Sequence, residues 1–218
     1  TALEDINLSA MSNLVDTGVA FMWGCSAIKN VDISTWTNLK IMRNSLMENC
    51  SALESLDMSK LMNLQLIGAH FLTNCTSLTT IKLPGSSSNK SAIQSIAYDT
   101  ECISQRAQRI YTYGYFLTGC TSLTSVDFST LDPDKFNGSG TSISGSSLPT
   151  SGVSVPPANY IYASSSTSSS VSTPIDLMCA GCDKLTNVNF GSLSASSFTS
   201  GISSDASAFF TKTFDNYT

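Results

Sequence analysis

Cysteine recurs at a fixed step in this chain. Cys25, Cys50 and Cys75 lie 25 residues apart, and three other columns keep the same interval: Asn13, Asn38 and Asn63; Ser9, Ser34 and Ser59; Phe21, Leu46 and Phe71. A unit of that length cannot bury an apolar face by itself, so it must stack on copies of itself. Aligned on the cysteines, the units read FMWGCSAIKNVDIS (21–34), LMENCSALESLDMS (46–59), FLTNCTSLTTIKLP (71–84), FLTGCTSLTSVDFS (116–129) and MCAGCDKLTNVNFG (178–191). The segment 2–9, ALEDINLS, is the second half of another.

The second half of each unit alternates apolar and polar residues, the period of a strand buried on one face. Stacked coils place such strands about 4.8 Å apart in a parallel sheet. Three inward columns are therefore expected. They are Ile28/Leu53/Leu78/Leu123/Leu185, Val31/Leu56/Ile81/Val126/Val188 and Ile33/Met58/Leu83/Phe128/Phe190. The Phe, Leu and Met residues before each cysteine fill the outer half of the coil. Asn7, Asp32, Asp57, Lys82, Asp127 and Asn189 form an outward column, in which Lys82 is placed to relieve repulsion between carboxylates one coil apart.

The spacing resembles leucine-rich repeats, and more narrowly the BspA-like repeats of bacterial and some protist surface proteins. Ile67, Gly68, Phe71, Cys75, Leu78, Ile81, Leu83 and Pro84 nearly spell that pattern. The resemblance implies a right-handed leucine-rich-repeat solenoid, α/β-type but mostly β, with one parallel sheet. It also implies a role in cell-surface adhesion or host-protein binding. A single domain over 1–218 is expected, with a degenerate last coil over 192–218. Because it opens within a unit, the chain reads as a processed protein or a piece of a longer array.

The period breaks twice. Cys75 to Cys120 is 45 residues and Cys120 to Cys182 is 62. The extra residues form two insertions, about 85–115 and 130–177, expected on one flank because both follow the strand of their unit. The first opens with the loose-looking GSSSNKS, then offers two strand-like runs, 94–99 and 109–113, that would pair as a protruding hairpin. Its Tyr98, Arg106, Arg109, Tyr111, Tyr113 and Tyr115 are the richest Tyr/Arg cluster in the chain, and those residue types dominate binding hot spots. The second is mostly Ser, Thr, Gly and Pro, the composition of a loop.

Catalytic and metal chemistry finds little material. There is one histidine, His70, and no G-x-S-x-G, H-E-x-x-H, P-loop or G-x-G-x-x-G. Cys25, Cys50, Cys75, Cys120 and Cys182 share one repeat column and read as a structural thiol column at a turn. Their parallel Cβ vectors, about 4.8 Å apart, are too far for disulfides. Cys179 and Cys182 have C-x-x-C spacing, but Cys182 already belongs to the column and no second such pair exists. Cys102 is the odd thiol, with a bridge to Cys179 left open. No cofactor, metal or enzymatic activity is expected.

Composition narrows the partners. Only 12% of residues are charged, the net charge is −5, and 40 Ser with 23 Thr take the place of the missing charge. That balance argues against nucleic acid, and no apolar run approaches the ~20 residues of a membrane span. The expected function is a non-catalytic interaction or adhesion module, secreted or on a cell surface, with a protein or glycan partner. The alternative is a structural subunit of a larger assembly, such as a phage particle or surface appendage.

Overall fold

A computed structural model describes residues 3–98, 116–136, 179 and 181–193. These residues build a repeat solenoid of short parallel strands. A single-turn 3₁₀ helix at Ser9–Met11 is followed by β1 (Ile41–Met42), β2 (Ser55–Asp57), β3 (Leu66–Gly68), β4 (Thr80–Lys82), β5 (Ser95–Tyr98), β6 (Ser125–Asp127) and β7 (Asn187–Asn189). No α-helix occurs among the described residues, so the fold is mostly β without an α layer.

The alternating segments form the expected ladder. Ser55, Leu56 and Asp57 pair with Thr80, Ile81 and Lys82, and β6 pairs with β7 in the same manner; Asn30 bridges to Ser55. Odd and even positions face opposite ways, so Ile81 and Val126 are buried between exposed neighbours and Leu56 between half-buried Ser55 and exposed Asp57. The inward columns are continuous. Ile28, Leu53, Leu78, Leu123 and Leu185 are all buried, and Met58, Leu83 and Phe128 line up beside them. Rings also stack from coil to coil, Phe71 on Phe116 (5.4 Å between centroids) and Phe128 on Phe190 (5.7 Å), and within one coil Phe116 meets Phe128 at a tilt (6.2 Å).

One sheet was expected and there are more. A second parallel ladder runs β1–β3–β5, with Ile41 and Met42 opposite Leu66 and Ile67, then Leu66 opposite Ser95 and Gly68 opposite Tyr98. Its strands are buried on both faces, so they lack the alternation that marks a half-exposed strand. Gly68 is needed there for close approach: a Cβ would lie 2.6 Å from the Arg43 carbonyl carbon and from the Asn44 nitrogen of the neighbouring coil.

Of the hairpin expected in the first insertion, the second run, 109–113, lies outside the described residues. The run at 94–99 contains β5, which pairs with β3 and continues the stack, with Ile93 and Ile96 fully buried. The 29-residue step from Leu66 to Ser95 exceeds the period by four and the step from Gly68 to Tyr98 by five, so four of the twenty extra residues lie before β5, one within it and fifteen after it. The GSSSNKS tract is tied down rather than loose. Ser86 N–H donates to the Asn89 carbonyl (2.8 Å), Ser91 N–H to the Thr130 carbonyl (2.9 Å), and Lys90 Nζ to the Ser129 carbonyl.

The outer arch, between the second ladder and the cysteine, forms a third connection between coils. Every second residue in it has positive φ: Gly18, Ala20, Met22 and Gly24, then Ser45, Met47 and Asn49, then His70, Leu72 and Asn74. Such a conformation costs a non-glycine residue about 1–2 kcal/mol, and the hydrogen bonds show what the geometry supplies. Ala20 and Gly24 donate forward to the Asn44 and Glu48 carbonyls, whereas Met47 donates back to Phe21. Ser45 and Asn49 likewise donate forward to Ala69 and Thr73, and Leu72 donates back to Leu46. Alternate peptides are turned so that one arch bonds both neighbouring coils, which leaves few buried amides unpaired.

Candidate interaction surface

The thiol column lies just after the arch. Cys50, Cys75, Cys120 and Cys182 are buried, and Cys25 in the first coil is half-buried. Each buried Sγ donates to a carbonyl of the preceding coil: Cys50 to Met22 (3.1 Å), Cys75 to Met47 (3.2 Å), Cys120 to Leu72 (3.2 Å) and Cys182 to Leu117 (3.0 Å). The same carbonyls accept backbone N–H groups from their own coils, as Met47 does from Cys50 (3.3 Å). The thiols are thus donors joining one coil to the next.

Burial, reinforced by the neighbouring thiol, pushes Cys50 up to about 11 and Cys75 up to about 12, so neither ionises near neutrality. Cys120, Cys179 and Cys182 meet at the far end. The proximity of the Cys182 sulfur, together with burial, pushes the Cys120 and Cys179 thiols up. Among the described residues, no group of three or more His, Cys, Asp and Glu could hold a metal ion. His70 is half-buried in the arch with φ of 59°, a backbone position of the repeat.

The exposed sheet column is a series of turn closures. Asp32, Asp57 and Asp127 each accept, through Oδ1, the N–H of the serine two residues on (2.9, 2.9 and 2.8 Å), and Asn7 and Asn189 do the same for Ser9 and Gly191. These are Asx turns that end the strand. Lys82 stands where the other coils carry Asp or Asn, and its Nζ meets Asp57 Oδ2 at 2.9 Å, the expected relief of repulsion. Burial works to raise Asp57, but the hydrogen bonds from Ser59 and the Lys82 ammonium outweigh it and hold the carboxyl at about 2.

Hydroxyl columns flank this row. Ser51, Thr76 and Thr121 each reach the carbonyl at the equivalent place in the coil before, at 3.4, 3.3 and 3.3 Å. Near the first coils the sheet holds a shallow open depression of about 710 Å³, lined by Glu4, Asp5, Ala27, Lys29, Asn30 and Ala52. Alanine at 27 and 52, where later coils carry Ser77 and Ser122, makes the hollow. Among the described residues the face is mostly polar.

Of the Tyr/Arg cluster, Tyr98 ends β5 with its backbone opposite Gly68. Arg106, Arg109, Tyr111, Tyr113 and Tyr115 lie outside the described residues, as do Cys102 and most of the second insertion. The described chain resumes after the two long gaps at Phe116 and Cys179, and these residues are neighbours: Cys179 N–H donates to the Phe116 carbonyl at 2.8 Å. Both gaps therefore close at one place on adjacent coils.

Comparison with known proteins adds the family. A model described as BspA type Leucine rich repeat region matches residues 1–104 and 63–168, in six copies. No curated protein and no solved structure matches the chain.

Proposed function

Since the chain belongs to the BspA-type leucine-rich repeat family, we propose that it is a non-catalytic adhesion module, displayed at a cell surface or secreted, that grips a protein or glycan through its insertion flank. Leucine-rich repeats of this type serve in general as protein-interaction modules, and no helix among the described residues is long and apolar enough to cross a membrane. The observation that carries the flank reading is the meeting of Phe116 and Cys179, which roots both long segments on adjacent coils. A stiff stack bonded three ways between coils is a scaffold on which loops present contact residues. The segment 99–115 carries Arg106, Arg109, Tyr111, Tyr113 and Tyr115 in its sequence, whereas the sheet face of the described residues is polar and carries no aromatic side chain.

The test is binding of the full chain to an array of extracellular-matrix proteins and glycans, with Tyr111→Ala/Tyr113→Ala alongside. The flank reading expects a bound ligand whose affinity falls at least about tenfold in the double variant, the loss of one hot-spot contact. Unchanged binding with an unaltered far-UV circular dichroism spectrum refutes the flank. Hydrolysis of any glycan, ester or peptide substrate, abolished by His70→Ala, refutes the non-catalytic reading.

A further inference from the structure

The coil that carries Cys182 departs from the repeat at a buried position. Three residues before the column cysteine the other coils have Met22, Met47, Leu72 and Leu117, and this one has Cys179. Met47, Leu72, Leu117 and Cys179 are all fully buried, so the position belongs to the core. A thiol buries less apolar surface there than Met or Leu, and the exchange gives up part of the hydrophobic gain. What it brings is a second thiol in the same turn.

That turn is a fixed part of the repeat. The N–H groups of Cys25, Cys50, Cys75, Cys120 and Cys182 each donate to the carbonyl three residues earlier, at 3.3, 3.3, 3.3, 3.2 and 3.1 Å. In the Cys182 coil the left-handed positions are Cys179 (φ 57°) and Gly181 (φ 72°). A turn closed by such a bond holds its end Cα atoms within about 7 Å, and a disulfide spans about 4.4–6.8 Å. The two side chains approach each other, with the sulfurs of Cys179 and Cys182 within hydrogen-bonding reach. Cys120 also comes near Cys182, but as a stacked column neighbour with a parallel Cβ vector about 4.8 Å away, the relation that does not suit a bridge. All three are free thiols in this structure.

We infer that Cys179 and Cys182 form a disulfide site, closed across their turn by exchange with a low-molecular-weight disulfide such as oxidised glutathione. One cysteine thiolate attacks the small disulfide, forms a mixed disulfide and releases one small thiol; the other cysteine then displaces the second. Two protein thiols and one small disulfide become one protein disulfide and two small thiols, which take up the two protons. Cys182 gives up its hydrogen bond to the Leu117 carbonyl, and that carbonyl still accepts Cys120 N–H at 3.2 Å. Both sulfurs are buried while Gly181 between them is exposed, so exchange proceeds when the turn opens or before the coil has docked. The bond then fastens the point where the described chain resumes after its second long gap, beside Phe116. The site stands apart from the adhesion reading and needs no partner.

The experiment equilibrates the full chain in glutathione buffers from reducing to oxidising, quenches with acid, alkylates the remaining thiols in denaturant and maps the peptides by mass spectrometry. In the oxidising buffer the peptide holding Cys179 and Cys182 is expected to be two hydrogens lighter and to carry no alkyl group, while Cys50, Cys75 and Cys120 are alkylated. Both cysteines alkylated in that buffer overturn the inference. So does a bond from either one to Cys102 or Cys120, or a glutathione left on one of them. The mapping needs only the wild type. Cys179→Met, which restores the residue that Met22 and Met47 provide in their coils, tests the fastening. The urea midpoint should be higher for the oxidised than for the reduced wild type, and the two should coincide in the variant. A midpoint shift that persists in Cys179→Met overturns the assignment of the bond to this turn.

Discussion

Replacing Leu72 by Val tests whether the arch depends on its alternating backbone. Leu72 is fully buried and sits at φ 53°, with its N–H held by the Leu46 carbonyl. The control is Leu56→Val, at an equally buried position in β2. Both substitutions remove one methylene, worth about 0.8 kcal/mol, and both leave a similar small void. In the strand, the preference for β-branched residues returns a few tenths, so Leu56→Val should cost about 0.5–1 kcal/mol. At positive φ a β-branched side chain collides with its own backbone, adding about 1–2 kcal/mol. Leu72→Val should therefore cost about 2–3 kcal/mol. Urea titration followed by circular dichroism measures both, with slopes unchanged so that the midpoints report stability. Equal costs for the two variants would mean that the arch pays nothing for its left-handed residues, and the account of the alternation would fail.

Further outcomes follow from the same geometry. Gly68→Ala drives a Cβ into the Arg43–Asn44 peptide and should cost about 2–3 kcal/mol; a neutral result would show that the coils can part there. Iodoacetamide at pH 8, read by peptide mapping, should modify half-buried Cys25 well before Cys50 and Cys75, whose thiols are buried and held protonated; equal rates would refute the buried column. Asp57 has its carboxyl lowered in the folded chain, so its contribution is complete above the ordinary carboxylate range and is lost as pH falls from about 4 toward about 2. Because the pair is half-exposed, the loss is under about 1 kcal/mol, and it should shrink in Lys82→Met. An acid limb identical in both proteins would exclude the ion pair.

Much of the coil could be read from residue order alone, and the parts that could not have physical reasons. The strands β2, β4, β6 and β7 were legible because one face meets water and the other the core, which writes a period of two into the chain. The second ladder was not, since Ile41, Met42, Leu66 and Ile67 are buried in full and a short apolar run has no period to show. The arch did leave a signal that went unread. Gly24, Asn49, Asn74, Gly119 and Gly181 each precede a column cysteine, and Gly and Asn are the residues that accept positive φ most cheaply. Apart from Gly18, its other left-handed positions carry Ala, Met, Leu, Ser, His and Cys, which reveal nothing. The pairing of β5 with β3 was not legible because it holds only after a four-residue offset, which the turn at 85–90 hides. The Tyr/Arg cluster was read from composition alone, and of it only Tyr98 lies among the described residues.

Each carbonyl in the arch looks no further than the adjacent coil, and this bears on how such a protein can lengthen. Copying one whole 25-residue unit into the stack, for instance 51–75, would present the same bonding pattern to both flanks and leave the remainder undisturbed. Copying 24 or 26 residues would swap inside for outside in the strand and reverse the direction of every amide in the arch. Tandem duplication is thus favoured by backbone geometry at the 25-residue step, and other lengths enter at the connections between strands and arch, as the four extra residues before β5 do.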